Sequence, residues 1–247
     1  MFIDCHCHLD LYSNIEIESI IKKCRKKSIG LIINNGVNCA SNRKSLELSE
    51  KFKEIKCALG AYPIDALSMS AEELKKELDF IKKNGKDIVA IGEVGIDFKE
   101  SEDKIKQIEI FRKFIRLSKK IKRTLIIHSR KAEKEVVDIL EEEKAEKVLM
   151  HCFSGNMKLV ERIVGNGWNL SIPAIVKYSE HFQNIVKMVP ISNLLCETDS
   201  PFLHPEKKSN NTPENVIESY KKIAEIKCIS IKECEKVIED NFKRLFN

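Results

Sequence analysis

Short runs of β-branched and aliphatic residues alternate along this chain with longer, charged stretches in which apolar residues recur every three or four positions. The short runs, at 2–7, 30–34, 56–59, 88–92, 124–128, 147–151, 168–172 and 194–197, predict strands. The longer stretches, at 15–27, 41–52, 71–84, 104–122, 131–143, 157–166 and 179–188, predict amphipathic helices, with two more after Pro213 and Ser230. Strand and helix follow one another about eight times. That alternation predicts an α/β fold, a single (β/α)8 TIM barrel spanning residues 1–247, because each strand needs a crossover helix to reach a parallel neighbour. A doubly wound sheet fits less well, since no Gly-x-Gly-x-x-Gly follows the first strand and no Walker loop occurs.

Composition agrees with one sizeable core: 247 residues, 43% hydrophobic and 33% charged. No run approaches the ~18 uninterrupted apolar residues of a membrane span, and the start Met1-Phe2-Ile3-Asp4 does not read as a signal peptide. The expectation is a cytoplasmic protein without a membrane or an obligate protein partner. Nine cysteines include no Cys-x-x-Cys pair, so they read as small buried hydrophobes and not as a zinc ribbon. A net charge of +5 permits a polyanionic substrate without requiring one. The basic run Lys22-Lys23-Cys24-Arg25-Lys26-Lys27 reads as the solvated face of a helix.

Candidate chemistry begins in the first strand. Alternation along an extended segment places Asp4, His6 and His8 on one face and Ile3, Cys5, Cys7 and Leu9 on the other. Two imidazoles side by side make half of a metal site, although a lone His-x-His is equally compatible with polar residues on a half-buried strand. The barrel makes the pattern more specific. Glu93 is expected to end the fourth strand, His128 the fifth and His151 the sixth, with Asp199 following the eighth. Active sites of such barrels are assembled from C-terminal strand ends, so these side chains are predicted to converge on one mouth. Four of the six histidines occupy such ends. His181 falls in a helical stretch and reads as a surface residue, while His204 follows Asp199 closely enough to approach the mouth.

Several blocks together resemble the signatures of TatD-type metal-dependent deoxyribonucleases, within the wider amidohydrolase-like metal barrels. They are Asp4-x-His6-x-His8-Leu9-Asp10, Ile91-Gly92-Glu93-Val94-Gly95-Ile96-Asp97, Ile127-His128-Ser129-Arg130-x-Ala132, His151-Cys152-Phe153-Ser154-Gly155 and Glu197-Thr198-Asp199-Ser200-Pro201. The resemblance spans nearly the whole chain in the family's order and implies hydrolysis of DNA with two divalent metal ions, Mg, Mn or Zn. It implies that His6 and His8 hold one ion, that His128 and His151 hold the other and that Glu93 bridges them. Asp199 then completes the first site and handles the proton of the attacking water. The chemistry is coherent: two cations ~3.5 to 4 Å apart stabilise both the attacking and the leaving oxygen of a phosphodiester.

Ser129, Arg130 and Ser154, in loops expected just beyond ligand strands, are candidates for holding phosphate oxygens. The structural alternatives are Arg130 paired with a helix carboxylate and Ser154 capping the helix that begins near Met157. Family members carry histidine in a Gly-x-His-Pro block where this chain has Gly60-Ala61-Tyr62-Pro63, so Tyr62 is a substrate-side residue able to donate one hydrogen bond or to stack on a base. The family's Arg-Gly and Arg-Asn-Glu-Pro elements are replaced by Lys207-Lys208-Ser209-Asn210-Asn211-Thr212-Pro213-Glu214. Cys5, Cys7, Cys152 and Cys196 are expected to point away from the metals, into the layer between strands and helices.

The resulting expectation is a nuclease acting as a 3′-5′ exonuclease on single-stranded or frayed DNA, with RNA as a further substrate. Alternatives are an ester or amide hydrolase, such as an aminoacyl-tRNA deacylase, and a metal-stabilised nucleic-acid scaffold without turnover.

Overall fold

A computed structural model describes residues 1–208 and 210–247; the expectation attached to Ser209 lies outside the described residues. Eight parallel strands pair in sequence order: β1 Phe2–Cys7, β2 Ile29–Asn35, β3 Ile55–Leu59, β4 Ala90–Asp97, β5 Thr124–Arg130, β6 Val148–Met150, β7 Asn169–Pro173 and β8 Leu194–Glu197. The helices are α1 Asn14–Lys26, α2 Cys39–Lys51, α3 Pro63–Ser68, α4 Ala71–Lys83, α5 Lys104–Ile121, α6 Glu133–Glu142, α7 Met157–Gly165, α8 Glu180–Met188, α9 Ile217–Lys227 and α10 Ile231–Phe246. Together they form a nearly closed TIM-like barrel. At its seam Asp199 N donates to His6 O at 2.9 Å and His8 N donates to Ser200 O at 2.8 Å, so β1 and the segment after β8 meet at the end where the candidate ligands lie.

The strands are apolar on both faces because one face fills the barrel and the other meets helices. All eight residues of β4 are buried. Helix α1 buries Ile17, Ile20, Ile21 and Cys24 while Lys22, Lys23, Arg25, Lys26 and Lys27 remain exposed, the solvated basic face that its period requires. Each such isoleucine contributes about 1.5–3 kcal/mol on burial. Starts are set by local chemistry: Ser13 with Glu16 and Ser70 with Glu73 form capping boxes at α1 and α4, and Asn156 caps α7 by accepting from Leu159 N. The short helix α3, which follows β3 directly, falls outside the elements predicted from periodicity; its six residues are too few to show a period, and Pro63 at its first turn is the local signal for it.

Three strand boundaries shift in ways that matter for the site, one of them at β6, which stops at Met150 and leaves His151 in the turn after the strand and not at its end. β4 runs on through Asp97, so Glu93 sits inside the strand and does not end it. A bulge between Ile91 and Val94 puts three residues of β4 against two of β5, which re-aims Glu93 toward the barrel mouth. β5 likewise continues through Arg130, placing His128 and Ser129 in the strand where a loop was expected after His128. Close approach of β4 and β5 depends on Gly95: a Cβ there would meet His128 O at 1.9 Å.

Candidate metal centre

Glu93 lies at the centre of the cluster and divides its two carboxylate oxygens between two histidine pairs. Oε2 faces His6 Nε2 at 3.5 Å and His8 Nε2 at 3.4 Å. Oε1 faces His128 Nδ1 at 2.8 Å and His151 Nε2 at 3.6 Å. Asp199 closes the first group, with Oδ1 at 3.5 Å from Nε2 of both His6 and His8. The structure therefore brings His6, His8, Glu93, His128, His151 and Asp199 to one end of the barrel.

Spacing within the first group fits a bound cation. His6 Nε2 and His8 Nε2 are 3.2 Å apart, and every measured separation from them to Glu93 Oε2 and Asp199 Oδ1 is 3.4 or 3.5 Å. A tetrahedral shell with metal–ligand bonds of ~2.1 Å has edges of about 3.4 Å, so His6, His8 and Asp199 stand at the spacing of three donors to one ion, with Glu93 Oε2 at the same distance from both imidazoles. The donor set, imidazole nitrogens and carboxylate oxygens, suits zinc and manganese and admits magnesium through the carboxylates. In the second group His151 shares a donor cluster with His6 and Glu93, all within 4.8 Å of one another. His128 meets Glu93 Oε1 at hydrogen-bond distance, 2.8 Å.

Most of the histidines have their other nitrogen held. His8 Nδ1 faces Asn35 O at 3.0 Å, His151 Nδ1 faces Glu197 Oε2 at 3.1 Å and His128 Nε2 faces Asp97 Oδ2 at 3.1 Å. Such partners fix ring orientation and raise ligand basicity. His6 Nδ1 has no partner among the described residues, and the ring is instead held by stacking on His151, centroids 3.7 Å apart. Glu197 is anchored in turn by Ser171 Oγ at 2.5 Å and Cys152 N at 2.9 Å.

Electrostatics show a cluster that calls for positive charge. Burial pulls His6 down, but hydrogen bonds to Asp199 and Glu93 outweigh it and lift the imidazole to about 9. His128 is likewise lifted to about 9, its burial being overcome by Asp97 and Glu93. Burial would raise Glu93, yet the His128 hydrogen bond and the His151 charge hold it well below the carboxylate range. Asp199 is also held low, because His6 and His8 prevail over burial. Divalent cations satisfy the same carboxylates without protonating the imidazoles.

The remaining sequence candidates are placed less simply. Tyr62, directly after β3 and Gly60-Ala61, points its hydroxyl at Asp97 Oδ2, 2.6 Å away, while its ring lines the mouth beside His128. Arg130 reaches the mouth and pairs with Glu100 at 3.1 Å, a turn residue and not the helix carboxylate considered above. Ser154 Oγ donates to Glu133 at 2.9 Å and caps nothing, since Asn156 takes that role for α7. Ser129 Oγ is buried without a partner and borders the mouth. His181 is half-buried and faces Phe153 O at 3.1 Å, so it is not a surface residue, and His204 Nδ1 accepts from Glu206 N at 3.0 Å.

The cysteine expectation holds for two positions and fails for two. Cys7 donates to Ile33 O and lies beside Cys24 of α1, and Cys196 lies beside Cys234 of α10, both in the strand–helix layer. A register slip between Asp4 and Cys7 breaks the alternation of β1, and the Cys5 thiol lies beside Ser171 and Glu197, beneath the histidines. Cys152, with φ of 42°, lines the mouth. The same slip turns Asp4 to the seam, where it accepts from Thr198 N at 3.0 Å and Thr198 Oγ1 at 2.5 Å. Asp97 and Glu197 support candidate ligands and were not singled out from the sequence, although each stands inside a quoted block; Asp4, expected on the face of His6 and His8, meets Thr198 instead.

The chain matches the family described as TatD related DNase over residues 3–247. It is 34% identical over 256 residues to the uncharacterized metal-dependent hydrolase YabD of Bacillus subtilis, covering 100% of this chain and 99% of that protein. It is 32% identical over 257 residues to the human deoxyribonuclease TATDN3, covering 99% and 94% respectively. The fold superimposes on YJJV, a TatD homolog from Escherichia coli, with a TM-score of 0.92 at 24% identity, covering 100% of this chain and 98% of the other. The protein therefore belongs to the TatD related DNase family.

Proposed function

We propose that this protein is a two-metal phosphodiesterase that trims single-stranded or frayed DNA from the 3′ end. The observation that carries the reading is the division of Glu93 between two histidine pairs, one on each carboxylate oxygen. His6, His8 and Asp199 would hold one ion, His128 and His151 a second, with Glu93 between them. Bound there, divalent ions supply charge neutralisation at the phosphodiester oxygens and acidify water.

The chain's own residues supply the rest. Asp199, ionised at neutral pH and open to the mouth, accepts the proton of the attacking water through Oδ2, the oxygen not engaged with the histidines. Arg130, exposed along one side of the mouth, holds a phosphate oxygen, while the Ser154 hydroxyl is given to Glu133 and Ser129 Oγ is buried, so neither serine offers a free donor there. Tyr62 contributes its ring to the wall. A mouth of two lobes, about 370 Å³ and about 430 Å³, admits one chain end more readily than an uninterrupted duplex. Nine free thiols suit a reducing, cytoplasmic compartment, and among the described residues no helix is long and apolar enough to cross a membrane.

The test is a panel of Mg²⁺, Mn²⁺ and Zn²⁺ against end-labelled single-stranded DNA, RNA and aminoacyl-tRNA. Metal-dependent shortening of DNA from its 3′ end supports the reading. Release of the amino acid from tRNA with intact DNA overturns it in favour of ester hydrolysis.

A further inference from the structure

The mouth has two lobes. One, about 370 Å³, is bordered by Leu11, Val37, Tyr62 and Asp65; the other, about 430 Å³, by Ser129, Cys152, Ser154 and Leu203. Both share His128, Arg130, His151, Asp199 and Phe202. Three of the candidate ligands, His128, His151 and Asp199, sit with Arg130 where the lobes join, and Phe202 is a wall common to both.

Phe202 is unusual for a large apolar side chain beside a polar centre. It is 54% exposed, and Leu11, at the rim of the first lobe, is 57% exposed. With Leu11, Val37 and the Tyr62 ring it gives the mouth an apolar wall beside the polar centre, a surface that suits a ligand with an apolar face. The ring is also held in place: Phe202 N donates to Asp199 O at 2.8 Å, and the ring stands edge-on to His8, centroids 6.2 Å apart. Its distance from the reacting centre is therefore set by two of the candidate ligands.

We propose that Phe202 is a wedge that parts the terminal nucleobase of a single strand from its neighbour, with the scissile phosphate at the junction of the lobes. The proposal rests on the nucleolytic reading above. The terminal nucleoside occupies the lobe of Leu11, Val37 and Tyr62. Asp65 in that lobe, held by Asn38 Nδ2 at 3.1 Å, disfavours a further phosphate there, as a chain end requires. The continuing strand leaves through the lobe of Ser129 and Ser154, whose lining among the described residues carries Arg130 and no carboxylate beyond the shared Asp199. A base taken out of its stack exposes two π-faces, and aromatic side chains are the sequence-independent partners for them. Paired ends must fray before they fit.

Two measurements on the metal-loaded full chain test this. Steady-state hydrolysis of a single-stranded oligodeoxynucleotide is compared with that of bis(4-nitrophenyl) phosphate, a diester without bases, for the parent, Phe202→Ala and Phe202→Tyr. Stacking on one aromatic ring corresponds to a loss of roughly tenfold to a hundredfold when the ring is removed. The expected result is that Phe202→Ala lowers kcat/KM on the oligonucleotide at least tenfold more than on the small diester, and that Phe202→Tyr restores most of the difference. Equal losses on both substrates, or none on either, overturn the wedge. In the second measurement, 2-aminopurine at the 3′ end of the strand brightens on binding to the parent, as it leaves its neighbour, and does not brighten with Phe202→Ala. Brightening that persists without the ring overturns the proposal. The two readings fail separately: Phe202-dependent brightening without diester hydrolysis sinks the nuclease reading, and hydrolysis indifferent to Phe202 sinks the wedge.

Discussion

The Tyr62 hydroxyl donates to Asp97 Oδ2 at 2.6 Å, and the same oxygen faces His128 Nε2 at 3.1 Å. The other oxygen of Asp97 accepts from Lys99 N at 2.9 Å and Glu100 N at 3.1 Å, and Gln107 brackets its backbone. Tyr62 therefore acts on the candidate metal centre through a carboxylate that is otherwise fully engaged. Removing the hydroxyl in Tyr62→Phe costs ~1 kcal/mol of hydrogen bonding and frees Asp97 and His128 to turn. Disturbing a ligand's supporting partner weakens metal binding about 10- to 100-fold. In titration calorimetry one of two metal-binding steps, that of the ion held by His128, should shift accordingly, while the other stays within about twofold; two unchanged steps would show that the hydroxyl plays no part.

Glu93→Gln keeps the side chain's size and removes the charge shared by both histidine pairs. Metal content measured after gel filtration should fall from two ions per chain to one or none, with kcat down by several orders of magnitude. Added metal should recover activity only in part. Two tightly held ions in this variant would mean that Glu93 is not the bridge.

Asp199→Asn removes a ligand to the first ion and the proposed proton acceptor together. The loss should fall on kcat more than on KM, since proton transfer belongs to the transition state. Near-parental turnover of DNA at saturating metal is the outcome that would discard this role.

Arg130 is exposed, paired with Glu100 at 3.1 Å and more distantly with Asp97 at 4.0 Å, so Arg130→Ala should raise KM for DNA and leave kcat within a few fold. Because exposed charges are screened over ~8 Å at physiological salt, the difference between parent and variant should shrink as salt rises. A KM effect that is independent of salt would point to a structural part for Arg130.

Chelation offers a test without mutation. The first donor group joins β1 to the segment after β8, so an ion bound there ties the barrel seam. Saturating the site at about 100 times Kd adds ~2.7 kcal/mol to the stability of the folded form. Scanning calorimetry should show Tm falling when EDTA is added, and falling much less in Asp199→Asn. In Cys7→Ala, whose thiol lies in the strand–helix layer, the EDTA effect should match the parent.

Much of this molecule is written locally. Strand and helix positions follow from hydrophobic period and capping residues, which act over a few neighbours, and β1 and β8 begin and end where the apolar runs do. The candidate ligands were legible for a related reason: in a parallel barrel every strand's C-terminal end faces the same mouth, so strand-end position alone predicts convergence of His6, His8, His128, His151 and Asp199. What the period could not show is where the ladder slips. Bulges in β1 and β4 exist because neighbouring strands must match at the mouth, and they turn Cys5 inward, Asp4 to the seam and Glu93 onto the centre from within its strand. Pairings across the fold are equally invisible in one dimension: Tyr62 and Asp97 stand 35 residues apart, and His151 and Glu197 stand 46 apart. Only the closed barrel decides that Glu93 divides its two oxygens between two histidine pairs and that Phe202 stands exposed between two lobes, because both depend on distances between strands that the chain's local preferences do not encode.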